Sequence, residues 1–226
     1  MVEGPHLLEA ALARGWKIVD VIATEASSLT ARTGRPPVLV SEPVLRFIAD
    51  SKTPQGIAAE LELRQSAAPA AGDTVLLEGI QDAGNVGAIL RSAAAFGIRA
   101  AVLDAACADA WSAKALRAGA GAHFLLHVSQ VPRLADALAT FKGRLLCTVP
   151  RGGVALKEAD LSGTLGWVFG SEGQGISPEV QKKASLQVRI PTRAGTESLN
   201  VAAAAAICFY EKSSRPAVES AARGGS

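Results

Sequence analysis

The chain has 226 residues, 49% of them hydrophobic and 19% charged, with 22 glycines spread along its length. That length allows one large domain or a small one beside a medium one, and the composition excludes a disordered chain. A formal net charge of +2 tolerates an anionic partner without demanding one.

Cys107, Cys147 and Cys208 lie far apart with no C-x-x-C pair, which argues for reduced thiols and against a disulfide framework or a zinc site. The opening MVEGPHLLEAALARG carries an early acid and no continuous apolar core, so it does not read as a signal peptide. No stretch has the uninterrupted apolar length of a membrane span. A soluble, cytoplasmic protein is expected.

Apolar residues at helical spacing (Leu7, Leu8, Ala11, Leu12) predict a helix over 5–14, stopped by Gly15. A β-branched run predicts a strand over 16–23, and 37–40 reads as a second, shorter one. Ser41 is placed to cap a helix running to about Asp50, with Pro43 in its first turn. The turn at Thr53-Pro-Gln-Gly56 leads into an alternating strand over 57–63. Residues 1–65 therefore read as a small α/β unit, and 66–72 (SAAPAAG) as a linker.

The pattern restarts with a strand over 74–77, a Gly-rich bend, and a helix from about 85 to 96 that stops at Gly97. Further strands are expected at 99–103, 124–128, 144–149, 165–169 and 186–190. Helices are expected at 111–118, 132–141, 178–184 and about 198–212. Such alternation over 73–213 predicts a mainly parallel sheet covered on both faces. The small, polar tail 214–226 reads as disordered.

Three segments put glycines and polar residues where a strand hands over to a helix, which is where open α/β sheets hold ligands. They are Glu78-Gly-Ile-Gln-Asp-Ala-Gly-Asn-Val-Gly-Ala-Ile-Leu-Arg91, Phe169-Gly-Ser-Glu-Gly-Gln-Gly-Ile176, and Ile190-Pro-Thr-Arg-Ala-Gly-Thr-Glu-Ser-Leu-Asn200. Singly, each is also what ordinary turn glycines look like. None matches the dinucleotide G-x-G-x-x-G or the Walker loop, so a nicotinamide or ATP site has little support. Arg91 reads either as a solvated surface arginine or, from its neighbours Leu90, Ala93, Ala94 and Ala95, as lying on a partly covered helix, where a guanidinium needs an anionic partner or good hydrogen bonds. His123 and His127 flank Phe-Leu-Leu in an expected strand with no third ligand nearby, so no metal is expected. Lys114, Arg117, Lys182, Lys183, Arg189 and Arg193 are candidates for an anion-facing surface or simply a solvated one. With one Tyr and three Trp, extensive base stacking is not indicated.

Taken in order, the three segments resemble the signature of the SpoU/TrmH family of RNA ribose 2′-O-methyltransferases, in the SPOUT superfamily. The matching residues are Asn85-x-Gly-x-x-x-Arg91, the Phe-Gly-Ser-Glu-Gly-Gln-Gly-Ile run and Ile-Pro…Glu-Ser-Leu-Asn-Val-Ala-x-Ala, and the likeness spans 74–212. The leading 65 residues resemble, less closely, the small ribosomal-protein-like RNA-binding domain found ahead of this catalytic domain, here in an N-terminally trimmed form.

The resemblance implies a parallel sheet whose last segment threads a loop to make a trefoil knot, a departure from ordinary connection rules. It implies an S-adenosylmethionine pocket formed by Thr148, Val149, Gly170, Ile190 and Leu199. It further implies a homodimer with shared sites, and an RNA substrate, ribosomal RNA before transfer RNA. Arg91, Asn85, Glu172, Ser198 and Asn200 would be the catalytic set. Asn85 would orient Arg91 or the ribose, and Glu172 would position that network or cap a turn. Ser198 and Asn200 stand where a helix begins, so N-capping competes with substrate contact.

A guanidinium is not deprotonated in proteins. Arg91 is therefore read as stabilising developing alkoxide charge and holding a phosphate that takes the proton itself or through water. Two rivals are a non-enzymatic RNA-binding module of the same fold and a base-directed methyltransferase of the same superfamily.

Overall fold

The computed structural model describes residues 1–64, 72–193, 195 and 197–215. The expected linker, apart from Gly72, and the expected tail from 216 onward lie outside the described residues.

The leading segment forms β1 (Val2–Glu3), α1 (Pro5–Ala13), β2 (Ile18–Ala23), α2 (Ser28–Arg32), β3 (Val38–Leu39), α3 (Glu42–Ile48) and β4 (Ile57–Leu61), its four strands ordered β1-β4-β2-β3. β4 runs antiparallel to β1 and β2, and β3 runs parallel to β2. Pro5 opens α1, where its missing N–H leaves no bond unmade, and the helix buries Leu7, Leu8 and Ala11. α2 was not anticipated. Its cap is a reciprocal pair, Thr30 N–H donating to Ser27 Oγ at 3.3 Å and Ser27 N–H to Thr30 Oγ1 at 2.9 Å. Ser41 does stand at the N-cap of α3 with Pro43 in the first turn, but its side chain makes no capping bond.

The remainder forms one seven-stranded sheet of β5 (Thr74–Glu78), β6 (Ala100–Asp104), β7 (His127–Val131), β8 (Arg144–Thr148), β9 (Val154–Ala155), β10 (Leu165–Gly170) and β11 (Leu186–Arg189). Their order is β7-β6-β5-β10-β8-β11-β9, and every pairing is parallel. The last two strands enter between neighbours laid down before them: β10 between β5 and β8, β11 between β8 and β9.

The helices are α4 (Ala83–Ala95), α5 (Ala113–Gly119), α6 (Leu134–Leu138), α7 (Pro178–Gln181) and α8 (Val201–Ser214). β5 is buried on both faces, which explains its unbroken apolar run: Val75 and Leu77 pack with α4 and α8, and Leu76 with α6 and α7.

Three expectations need correction. α4 starts at Ala83, two residues early, because the Asp82 carboxylate accepts from Asn85 N–H at 2.9 Å and caps it. The strand expected at 124–128 begins only at His127. Ala120 and Gly121, both with left-handed φ, end α5 and start a 3-10 turn over Ala122–Phe124. Ser214, expected in a disordered tail, instead closes α8, and Arg215 is bonded beyond it.

Two long-range features tie the fold together. Trp16 lies 5.4 Å from Trp111 and 5.3 Å from Phe124 between ring centroids, and the Arg64 guanidinium stacks 4.8 Å over Trp16. This places the leading segment against α5 and the following turn around a shared apolar cluster. At the other end, Arg215 donates to the carbonyls of Ala159 (2.6 Å), Leu156 (2.9 Å) and Lys157 (3.0 Å), and Lys212 donates to Leu161 and Gly163. The end of α8 is thereby fastened to the chain that follows β9. Among the described residues no helix is long and apolar enough to cross a membrane.

Candidate active site

β8, β10 and β11 run in parallel, so their carboxyl ends open on one edge of the sheet, and a cavity of about 400 Å³ lies there. Thr148, Val149, Gly170, Ile190 and Leu199, the five residues expected at a cofactor pocket, all line it. Ile176, Val188 and Val201 extend its apolar wall, while Gln174, Gln181, Glu172 and Ser198 add polar groups.

The loop after β10 is folded tightly on itself. Gly175 N–H donates to Ser171 O at 2.9 Å, and Gln174 N–H to Ser171 Oγ at 3.1 Å. A Cβ on Gly170 would sit 2.2 Å from the carbonyl carbon and oxygen of Gly175, so this close approach of two backbones requires glycine. Thr148 Oγ1 donates to Val168 O at 3.0 Å, which fixes the end of β8 against β10.

At the cavity's mouth three expected residues meet. Asn85 Nδ2 donates to Glu172 Oε1 at 3.1 Å, and Asn200 Nδ2 donates both to Glu172 Oε1 and to Asn85 Oδ1, each at 3.0 Å. Asn200 Oδ1 accepts from Ala202 N–H at 2.9 Å and Ala203 N–H at 3.3 Å, so Asn200 is also the N-cap of α8. Capping and network membership coexist in one side chain because its two ends face different ways. Ser198 lines the cavity but is not the cap, since α8 begins only at Val201.

Arg91 departs from its expected setting. α4 buries Val86, Gly87, Ile89, Leu90 and Ala93, and Arg91 projects from the opposite, exposed side with no hydrogen bond or ion pair among the described residues. Asn85 therefore orients Glu172 and Asn200, not Arg91. Beside Asn85, Lys114 bonds Asp82 and, together with the capping N–H of Asn85, holds that carboxyl below the usual carboxylate range.

His123 and His127 do not share a strand. His123 is fully buried in the 3-10 turn with Nε2 2.7 Å from Ala110 O, and His127 opens β7 at the surface. Among the described residues no cluster of three or more His, Cys, Asp or Glu is disposed to hold a metal.

Two polar contacts were not expected from the sequence, one at Gln181 and one at Glu78, which was noted only as the start of the first Gly-rich segment. Gln181 donates to Ile176 O at 2.6 Å from α7, and Glu78 bonds Ser177 across the sheet. The Glu78–Ser177 contact spans 99 residues and depends on β5 and β10 being neighbours, whereas the Gln181 contact is local but depends on the fold of the loop before α7.

A cavity at the carboxyl ends of a parallel sheet, walled by apolar side chains and rimmed by a hydrogen-bonded Asn–Glu–Asn set, defines a small-molecule-binding α/β protein. The comparisons make this specific. A family model described as the SpoU rRNA Methylase family matches residues 73–210, and one described as the MRM3-like substrate binding domain matches residues 1–59.

The chain is 38% identical over 228 residues to an uncharacterized tRNA/rRNA methyltransferase of Synechocystis sp., covering 93% of this chain and 82% of that protein. It is 31% identical over 214 residues to the 23S rRNA (guanosine(2553)-2′-O)-methyltransferase of Bacillus subtilis, covering 93% and 86%. It is also similar to the AdoMet-bound rRNA methyltransferase from Sinorhizobium meliloti, with a TM-score of 0.81 and 27% identity over 93% of this chain and 85% of that one. The chain belongs to the SpoU rRNA methylase family.

Proposed function

We propose that this protein is an RNA methyltransferase that moves a methyl group from S-adenosylmethionine to a ribose 2′-hydroxyl, with ribosomal RNA the preferred substrate class over transfer RNA. The observation that carries the reading is the Asn85–Glu172–Asn200 network at the mouth of a strand-end cavity in a chain of this family. The preference for ribosomal RNA rests on the 23S rRNA relative and on the leading segment's match to a substrate-binding domain.

The residues present fit the cofactor. Ile176, Val188, Ile190 and Leu199 give apolar walls suited to an adenine face, and the approach of Gly170 to Gly175 closes the loop without side-chain bulk. When bound, S-adenosylmethionine supplies an electrophilic sulfonium methyl. The task of the chain is then to align the 2′-oxygen with it and stabilise charge as that oxygen becomes nucleophilic.

In this assignment Glu172 and the two asparagines form a fixed acceptor–donor surface for the ribose, and Ser198 contributes a hydroxyl beside it. Arg91 has no hydrogen bond or ion pair among the described residues, and its exposed guanidinium is offered to a backbone phosphate of the RNA. That phosphate, directly or through water, takes the proton.

The same proposal includes a division into an RNA-binding unit at 1–65 and a catalytic unit at 73–213. It also includes a homodimer, a cytoplasmic site of action, and a trefoil-knotted path, which the late entry of β10 and β11 between earlier strands supports.

The test is transfer of labelled methyl to RNA lacking the modification, followed by nuclease digestion. Label on ribose is expected from the wild type. Arg91→Ala should lower turnover at least a hundredfold with cofactor binding retained, and Arg91→Lys should restore little of it, because a point charge does not reproduce the fork. Label on a base would refute the ribose assignment. A wild type that binds S-adenosylmethionine but methylates no RNA would favour the binding module.

A further inference from the structure

Glu78 lies outside the cavity and outside the Asn–Glu–Asn network, yet it stands where the two chains that build the site part company. It is the last residue of β5, and its register partner across the parallel ladder is Gly170, the last residue of β10. Beyond Glu78 the chain turns into α4, which carries Asn85 and Arg91, and beyond Gly170 it forms the loop that walls the cavity.

The Glu78 carboxylate reaches across this divide to the far end of that loop. Oε2 accepts from Ser177 N–H at 2.8 Å and Oε1 from Ser177 Oγ at 2.7 Å. Ser177 in turn caps α7, its Oγ accepting from Val180 N–H at 3.3 Å, and α7 returns Gln181 to the carbonyl of Ile176 in the cavity wall.

We propose that Glu78 is a positioning residue for the cofactor loop, a two-pronged acceptor that holds the loop's exit at Ser177 while the strand ladder holds its start at Gly170. The chemistry explains the residue type. Ser177 presents two donors, a backbone N–H and a hydroxyl whose oxygen is already occupied as a cap. Only an acceptor on both prongs satisfies them without turning the hydroxyl away from Val180. Glutamine would offer an NH₂ to one of the two.

The inference rests on the cavity being the S-adenosylmethionine site. Its test is the full chain, with calorimetric binding of S-adenosylmethionine and steady-state kinetics. Glu78→Gln is expected to raise Kd and KM for the cofactor by about tenfold, with a much smaller fall in kcat and an unchanged KM for RNA. Ser177→Ala, which keeps the backbone donor, should give a smaller rise, and the pair together should cost less than the product of the two. Ser177→Thr, which keeps the hydroxyl, should bind nearly as wild type does.

Equal cofactor affinity in wild type and Glu78→Gln would overturn the inference and leave the cofactor reading standing. So would a rise in KM matched by an equal loss of kcat and of thermal stability, which marks a merely structural contact. A wild type that does not bind S-adenosylmethionine would sink both.

Discussion

At the scale of single residues, His123 shows what a buried titratable group does when function makes no use of it. Its Nε2 faces the Ala110 carbonyl and so carries the proton, while Nδ1 is buried with no partner and Gly119 packs close against it. Protonation would add a buried donor with nothing to receive it, and burial accordingly pushes the imidazole from 6.5 down to about 4. Above pH 6.5 both folded and unfolded chains hold the neutral ring. As pH falls from 6.5 toward 4, the unfolded chain takes a proton that the folded chain refuses, so stability declines across that window and levels below it. The loss is on the order of 3 kcal/mol. Urea midpoints over this range should therefore slope downward in wild type and flatten in His123→Gln, whose amide keeps a donor for Ala110. Equal slopes in the two proteins would contradict this account. Cys107, Cys147 and Cys208 share the environment without the consequence: burial raises each thiol to about 12, leaving it inert at neutral pH.

At the scale of elements, the loop after β10 admits no side chain where it begins. Gly170→Ala would drive a methyl into the Gly175 carbonyl, and neither backbone can yield without opening the ladder at the end of β10. Cofactor binding should be lost by calorimetry while the far-ultraviolet circular dichroism of the sheet persists. Near-normal affinity would mean that the loop adapts.

The sequence made some of these elements legible and not others. β5 was readable because a strand buried on both faces is an uninterrupted apolar run, and Asn200 because an asparagine before a run of alanines is a helix start. β9, only two residues long, and α2, capped by a Ser–Thr pair, carry too little periodicity to register. β7 was misplaced because left-handed Ala120 spends residues on a 3-10 turn that hydrophobicity cannot distinguish from a strand. The cofactor residues that the resemblance implies all line the cavity: Thr148, Val149, Gly170 and Ile190 stand at the ends of parallel strands, and Leu199 just before α8. The pairing of Asn85 with Glu172, 87 residues away, depends on α4 facing the loop after β10, and only the strand order supplies that. Leu90 and Ala93 are buried as their apolar character implies, but the buried stripe of α4 leaves Arg91 on its exposed side, the solvated alternative that its residue type also allowed.

At the scale of the whole molecule, long-range fasteners hold the ends in place. Arg215 gathers three carbonyls between 156 and 159, and its guanidinium is further held by Glu211. These bonds form only when the end of α8 has docked. Arg215→Ala should therefore speed unfolding, by about tenfold or more in stopped-flow denaturant jumps, while slowing folding less. The opposite partition would indicate that this end docks early.

The cavity's lining runs from Thr148 to Ala204, and Asn85 waits for a partner 115 residues further along. On a ribosome adding about 5–20 residues per second, that interval is roughly 6 to 23 s. During it the nascent chain carries α4 with no pocket behind it, and Asn85 has at first neither partner and then only Glu172, which follows 87 residues on. The ability to hold a methyl donor thus arrives late in translation, in a single step, after the leading segment has already emerged.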